Sequence, residues 1–107
     1  MSEWIAACKV DDVEEEDVIP FRHEGKHLAI YRSPAGEFYC TDGICSHERA
    51  FLARGLVMGH LVECPKHNAR FDYRTGEAKR APAREAIRTY PVKVEDGTVY
   101  VDPGGDE

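Results

Sequence analysis

Two short segments hold the residues best suited to chemistry: Cys45-Ser46-His47 and, after the sixteen residues 48–63, Cys64-Pro65-Lys66-His67. Each offers one thiolate and one imidazole, with the cysteine first. That mixture selects transition metals such as zinc and iron over magnesium or calcium. One reading takes all four side chains as a single tetrahedral Cys2His2 zinc site. Structural zinc sites usually keep cysteines in one knuckle and histidines in another, so the mixed knuckles weigh against it. The other reading is a binuclear iron site. Two or three residues extend at most about 7–10 Å, enough for one loop to straddle two adjacent metals.

The residues around both motifs resemble one family. Asp42-Gly43-Ile44-Cys45-Ser46-His47-Glu48, followed by Glu63-Cys64-Pro65-Lys66-His67-Asn68-Ala69-Arg70-Phe71-Asp72, is similar to the paired motif of Rieske ferredoxins. Thr75-Gly76, Pro82 and Tyr90-Pro91-Val92 are similar as well, and the resemblance runs from Trp4 to Asp102. Within it, the stretch Glu63–Lys79 looks most like the MocE-type ferredoxin-like proteins. The resemblance implies one [2Fe–2S] cluster, with Cys45 and Cys64 on an inner iron and His47 and His67 on an outer one. It implies that the Ala81-Pro82-Ala83 loop helps cover the cluster. It also implies a function: a one-electron carrier, not an enzyme. Its partners would be an NAD(P)H-dependent flavoprotein ferredoxin reductase and a terminal Rieske non-haem iron oxygenase or demethylase. Exchanging two thiolates for neutral imidazoles makes the oxidised centre formally neutral, so an electron is added at less cost and the potential rises.

Departures from the family pattern narrow the expectation. Respiratory Rieske proteins carry an extra cysteine in each loop, joined by a disulfide. Here the matching stretches, His47-Glu48-Arg49-Ala50 and Pro65-Lys66-His67, have none, and Cys8 and Cys40 lie elsewhere. High-potential members place a serine after the second histidine, where this chain has Asn68-Ala69. Ala69 has no side-chain donor, though Asn68 has one. Fewer donors to sulfur stabilise the reduced centre less, so the expected midpoint is near the low end of the Rieske range, about −150 mV. Lys66 stands where related ferredoxins carry a bulky apolar residue, and reads either as a solvated loop lysine or as a cation aiding docking. An oxygenase would need a 2-His-1-carboxylate iron site as well, and only His23, His27 and His60 remain. The small subunit of an assimilatory nitrite reductase and a regulatory module sensing iron or redox state are the competing readings.

The elements that must position these loops read as strands. The chain of 107 residues fits one domain, residues 1–107, with a cluster-binding lobe over about 43–83 and a mobile tail over 102–107. Short apolar runs broken by turn residues every 8–12 positions predict an all-β fold. The resemblance makes it a Rieske-type antiparallel β-sandwich. Strands are expected at Trp4–Val10, Val18–His23, Lys26–Arg32, Glu37–Thr41, Gly55–Met58, Leu61–Cys64, Arg70–Tyr73, Ile87–Val94 and Thr98–Val101. Lys79–Glu85 reads as a loop, and Asp12–Asp17 is the one candidate helix. The expected core is Trp4, Ile30, Phe38, Val57, Val62, Phe71, Val92, Val94, Val99 and Val101. His23 and His27 flank the Glu24-Gly25 turn and read as exposed hairpin histidines, the alternative being a surface metal site should they face each other, while Cys8 and Cys40 read as small buried hydrophobes.

No run approaches the roughly 20 apolar residues of a membrane span, and Met1–Trp4 opens without a secretory signal pattern. A cytoplasmic protein without membrane partners is expected. The net charge of −6 argues against nucleic acid. It suits docking onto a basic protein surface, and the acidic run Asp11–Asp17 reads as solvated surface or as a patch for a reductase.

Overall fold

The computed structural model describes residues 3–45, 50–66, 68–81 and 83–104. The described residues form three antiparallel sheets. The first joins β1 (Ile5–Lys9), β11 (Thr98–Val101) and β10 (Val92–Glu95) in that order. The second is ordered β2 (Asp17–His23), β3 (Lys26–Arg32), β4 (Phe38–Asp42) and β9 (Thr89–Tyr90). The third is ordered β5 (Leu56–Met58), β6 (Leu61–Glu63), β7 (Arg70–Asp72) and β8 (Ala78–Arg80).

Strand β3 explains how the layers stack. Its centre, Leu28-Ala29-Ile30-Tyr31, is buried throughout. Side chains alternate across a strand, and these four divide between two cores. Leu28 and Ile30 join Val13, Cys40, Tyr90, Val99 and Val101 against the first sheet. Ala29 and Tyr31 join Cys45, Leu52, Val62, Cys64, Phe71 and Tyr73 against the third. The second sheet is therefore the middle layer, which is why β3 has an apolar run instead of alternation.

Turn chemistry sets the register. Glu24-Gly25 and Asp96-Gly97 each place two residues at positive φ, the conformation of a two-residue type I′ hairpin. They close His23 onto Lys26 and Glu95 onto Thr98.

Several expectations are corrected. Ile87–Val94 is not one strand. Pro91 has no N–H to give a ladder, so the chain changes sheet there, from β9 beside β4 to β10 beside β11. Lys79 and Arg80, the start of the expected loop Lys79–Glu85, belong to strand β8 (Ala78–Arg80), an edge beside β7. The acidic segment is no helix: a single 3-10 turn covers Val10–Asp12, and Glu16 sits at positive φ before β2. Like-charged neighbours and a run this short cannot sustain helix. Trp4 and Val94 are among the exposed large hydrophobics, not core, while Tyr31, Tyr73, Tyr90, Leu28, Leu52 and Val13 are fully buried. Trp4 is covered by the Lys93 ammonium, 4.8 Å from its ring centroid. His27 pairs with Arg22 and His23 with Lys26, so the two histidines point to opposite faces. The start of the tail is fastened: Asp102 and Pro103 are buried, the Asp102 amide donates to the Pro91 carbonyl (3.1 Å), and Lys26 Nζ donates to the Pro103 carbonyl (2.7 Å).

Candidate metal centre

Everything between β4 and β9, residues 43–88, is inserted between two neighbouring strands of the middle sheet. That insertion carries both cysteine motifs, and its entry is fixed by close packing. The Gly43 amide donates to the His27 carbonyl (2.9 Å), and its carbonyl accepts from the Leu52 amide (2.9 Å). A Cβ on Gly43 would lie 2.9 Å from the backbone of His27 and Leu28, too close for any side chain. A Cβ on Gly55 would run into the carbonyl of Glu63, the residue before Cys64. One glycine thus lets the first loop sit on the middle sheet, and the other lets its exit touch the second loop.

The two loops have the same neck. The Cys45 amide donates to the Ala50 carbonyl (2.9 Å), and the Cys64 amide donates to the Ala69 carbonyl (2.7 Å). Each cysteine begins a six-residue loop closed by a buried alanine. Outside the necks, Ile44 bridges to Phe51, and Glu63 pairs with Arg70. Asn68 turns through the left-handed region (φ 58°), which asparagine tolerates better than most residues. Its exposed position follows from that turn.

Cys45 (4% exposed) and Cys64 (0%) belong to one contiguous core, together with Ala50, Ala69, Ala83 and the Tyr31–Tyr73 pair. None of the four cysteines is in a disulfide. Two buried thiols at matched loop necks, without a disulfide between them, fit the sulfur half of a [2Fe–2S] ligand set. His47, His67 and Pro82 lie outside the described residues. Ala83 is buried in the same core as the cysteines, and Ala81 is exposed. The other histidines have ring partners: His23 stacks on Phe21 (6.4 Å), His27 meets Phe51 edge-on (5.1 Å), and His60 tilts against Tyr73 (6.0 Å). Cys40 packs in the opposite core, and burial pushes its thiol pKa well above the usual value. Cys8 is raised by burial and then by Asp12.

Tyr31 and Tyr73 join the inserted lobe to the middle sheet. Their rings stack 4.5 Å apart at 4°, and both are fully buried. Thr41 Oγ1 donates to the Asp42 carbonyl (2.8 Å), so Tyr31 Oη is the donor to Thr41 Oγ1 (2.8 Å). Tyr73 Oη donates to the Gly59 carbonyl (2.6 Å), and burial lifts its pKa to about 12. Glu16 Oε2 accepts from the Gly59 amide (2.7 Å), a further tie from the base to the β5–β6 hairpin. Sequence reasoning missed this clasp and the loop necks. The shared Cys-x4-Ala spacing of the two loops was the available signal for the necks.

Comparison with known proteins agrees with this geometry. Residues 3–91 match the family model described as the Rieske [2Fe-2S] domain. The ferredoxin component of the naphthalene 1,2-dioxygenase system of Pseudomonas putida is 44% identical over 99 residues, 92% of this chain and 94% of that protein. The solved Sphingomonas yanoikuyae B1 ferredoxin is 38% identical with a TM-score of 0.87, over 94% of this chain and 98% of that one. A complex of reduced oxygenase and oxidised ferredoxin in carbazole 1,9a-dioxygenase contains a chain 30% identical to this one. Its TM-score is 0.92, over 100% of this chain and 98% of that one. The finer likeness to MocE-type proteins draws no support from these three. Two matched cysteine necks on an inserted β lobe, and relatives that are ferredoxin components over nearly their whole length, place this chain in the Rieske [2Fe–2S] family as an electron carrier with one cluster, not an enzyme.

Proposed function

We propose that this chain takes single electrons from an NAD(P)H-dependent flavoprotein reductase and delivers them to a terminal non-haem iron oxygenase or demethylase in the cytoplasm. His47 and His67 complete the ligand set begun by Cys45 and Cys64, with the cysteines on the inner iron. When bound, the cluster accepts and releases one electron. The observation that carries the reading is the pair of equal necks, Cys45 to Ala50 and Cys64 to Ala69. They hold two thiols in one dry core at the start of loops that each contain a histidine. Low polarity around the sulfurs and a rigid backbone limit reorganisation when charge changes. The reductase and oxygenase partners are supported by the dioxygenase systems of the relatives and by the oxygenase complex among the solved structures. No helix among the described residues is long and apolar enough to cross a membrane.

The test is reconstitution. Wild-type protein should contain two irons and two acid-labile sulfides and should couple reductase turnover to oxygenase product. His47→Ala and His67→Ala should each lose the cluster spectrum and the coupling. Wild-type coupling by either variant would refute the ligand assignment.

A further inference from the structure

The whole-chain charge of −6 hides a division. Residues 43–88, the insertion holding both cysteine loops, contain nine lysines and arginines against five acids, a net of +4. The remainder contains five against fifteen, a net of −10. Three of the lobe's acids are bonded to its own cations: Glu63 to Arg70 (3.1 Å), Asp72 to Arg74 (2.9 Å) and Glu77 to Lys79 (3.4 Å). Arg54, Lys66 and Arg84 are all exposed. They come from the exit of the first loop, from the second loop, and from beside buried Ala83. Phe51, immediately after the first neck, is 39% exposed and carries the Arg54 guanidinium 5.9 Å from its ring centroid.

We infer that the cluster lobe is a cationic docking face. It seats on an acidic surface of the protein that takes the electron, with Phe51 as its apolar contact. The proposal rests on the electron-carrier reading above. Charge complementarity selects the occupant: the net charge predicts a basic partner, whereas the insertion that carries both cysteine loops predicts an acidic one. Distance decides between them. The molecule is 38 Å long, and at physiological salt charges are screened over about 8 Å. A partner close enough to accept an electron at the cluster therefore senses the lobe and little of the acidic base. Transfer moves one electron from the reduced protein to the acceptor, and no bond forms or breaks.

The test uses dithionite-reduced holoprotein and two haem acceptors of opposite charge, the acidic haem domain of cytochrome b5 and basic cytochrome c. In each case one electron converts ferric haem to ferrous. Stopped-flow rates to cytochrome b5 should fall as salt rises from low to high ionic strength, although both proteins are net negative. The Arg54→Glu/Lys66→Glu/Arg84→Glu variant, checked for wild-type iron and sulfide, should transfer to cytochrome b5 about tenfold or more slower at low salt. It should converge on wild type at high salt. Its transfer to cytochrome c should not slow. A wild-type rate to cytochrome b5 that rises with salt would overturn the proposal, as would a variant unchanged at low salt. A holoprotein that reduces neither haem would instead refute the carrier function itself.

Discussion

Cys40 and Cys64 are equally hidden, at 1% and 0% exposure, yet they lie on opposite faces of the middle sheet and have different surroundings. Cys40 sits within β4, paired with Ile30 on one side and Tyr90 on the other. Its packing neighbours are mostly aliphatic and aromatic, and burial first, then the charges of Asp42 and Cys8, make its thiol a poor acid. Cys64 and Cys45 sit where strands or bridges end and closed loops begin. Burial therefore does not mark a ligand. On the proposed ligand set, the thiols that bind are the two whose backbone leaves the ladder at a loop whose sequence carries a histidine. Cys40 and its cross-strand partners Ile30 and Tyr90 instead all lie within paired strands.

The largest effect should come from breaking one side of that contrast. Cys45→Ser and Cys64→Ser should each abolish the visible spectrum and reduce bound iron to background, because a hydroxyl is a far poorer ligand for this centre than a thiolate. Cys40→Ala deletes the sulfur from an equally dry site. It should keep full iron and sulfide and lower stability by about 1–2 kcal/mol through the cavity it leaves. Iron analysis beside chemical denaturation separates the two outcomes, and iron loss in Cys40→Ala would end the distinction.

A second comparison concerns how the lobe meets the base. Gly43→Val places a branched side chain against the His27–Leu28 backbone. It should destabilise by about 3 kcal/mol or more, since neither strand can retreat. Tyr73→Phe keeps the stack on Tyr31 and removes only the hydrogen bond to the Gly59 carbonyl. The cost should be about 1 kcal/mol. Equal losses in denaturant midpoint for the two variants would show that the clasp, not the close approach, holds the lobe.

Much of the site was legible in the sequence and rather less of its support. Cysteine and histidine at fixed spacing state a metal's needs directly, so Cys45 and Cys64 were readable before any fold was known. Turns announced themselves through Glu24-Gly25 and Asp96-Gly97. The edge strand Ala78–Arg80 was not readable, because Ala-Lys-Arg has little strand propensity and is held by its pairing with β7. Pro91 was read as part of a family motif, but its consequence, a change of sheet, depends on which neighbours lie on either side. The three buried tyrosines were missed because a phenol reads as amphipathic until its hydroxyl is given a partner, and those partners are 10 to 48 residues away.

Ala69 offers a finer probe of the cysteine-bearing core. It is fully buried beside Cys64, whose amide it accepts. Ala69→Ser adds a hydroxyl donor in place of a methyl hydrogen with little change in volume. A hydrogen bond of about 1 kcal/mol favouring the reduced, more negative centre corresponds to a rise on the order of 40 mV for one electron. Voltammetry should find the wild-type midpoint near the low end of the Rieske range, about −150 mV, and the variant above it. A variant midpoint at or below wild type would show that the added hydroxyl does not reach the sulfurs.

The smallest effect should appear in the same lobe, where Asp72 is a buried acid. Burial opposes the charged form of Asp72, but Arg74 outweighs it, donating from its backbone amide (2.9 Å), Nε (3.1 Å) and Nη2 (2.9 Å). The carboxyl is held below the usual carboxylate range. A folded pKa below the unfolded one adds stability that is present above the unfolded pKa, about 3.9. That stability is lost as pH falls through the folded value. Asp72→Asn should therefore lower Tm slightly near neutral pH, and its Tm should fall less steeply than wild type below about pH 4. Thermal melts from pH 7 to 3 resolve the two slopes, and parallel curves would mean that the Arg74 contacts leave the titration of Asp72 unchanged on folding.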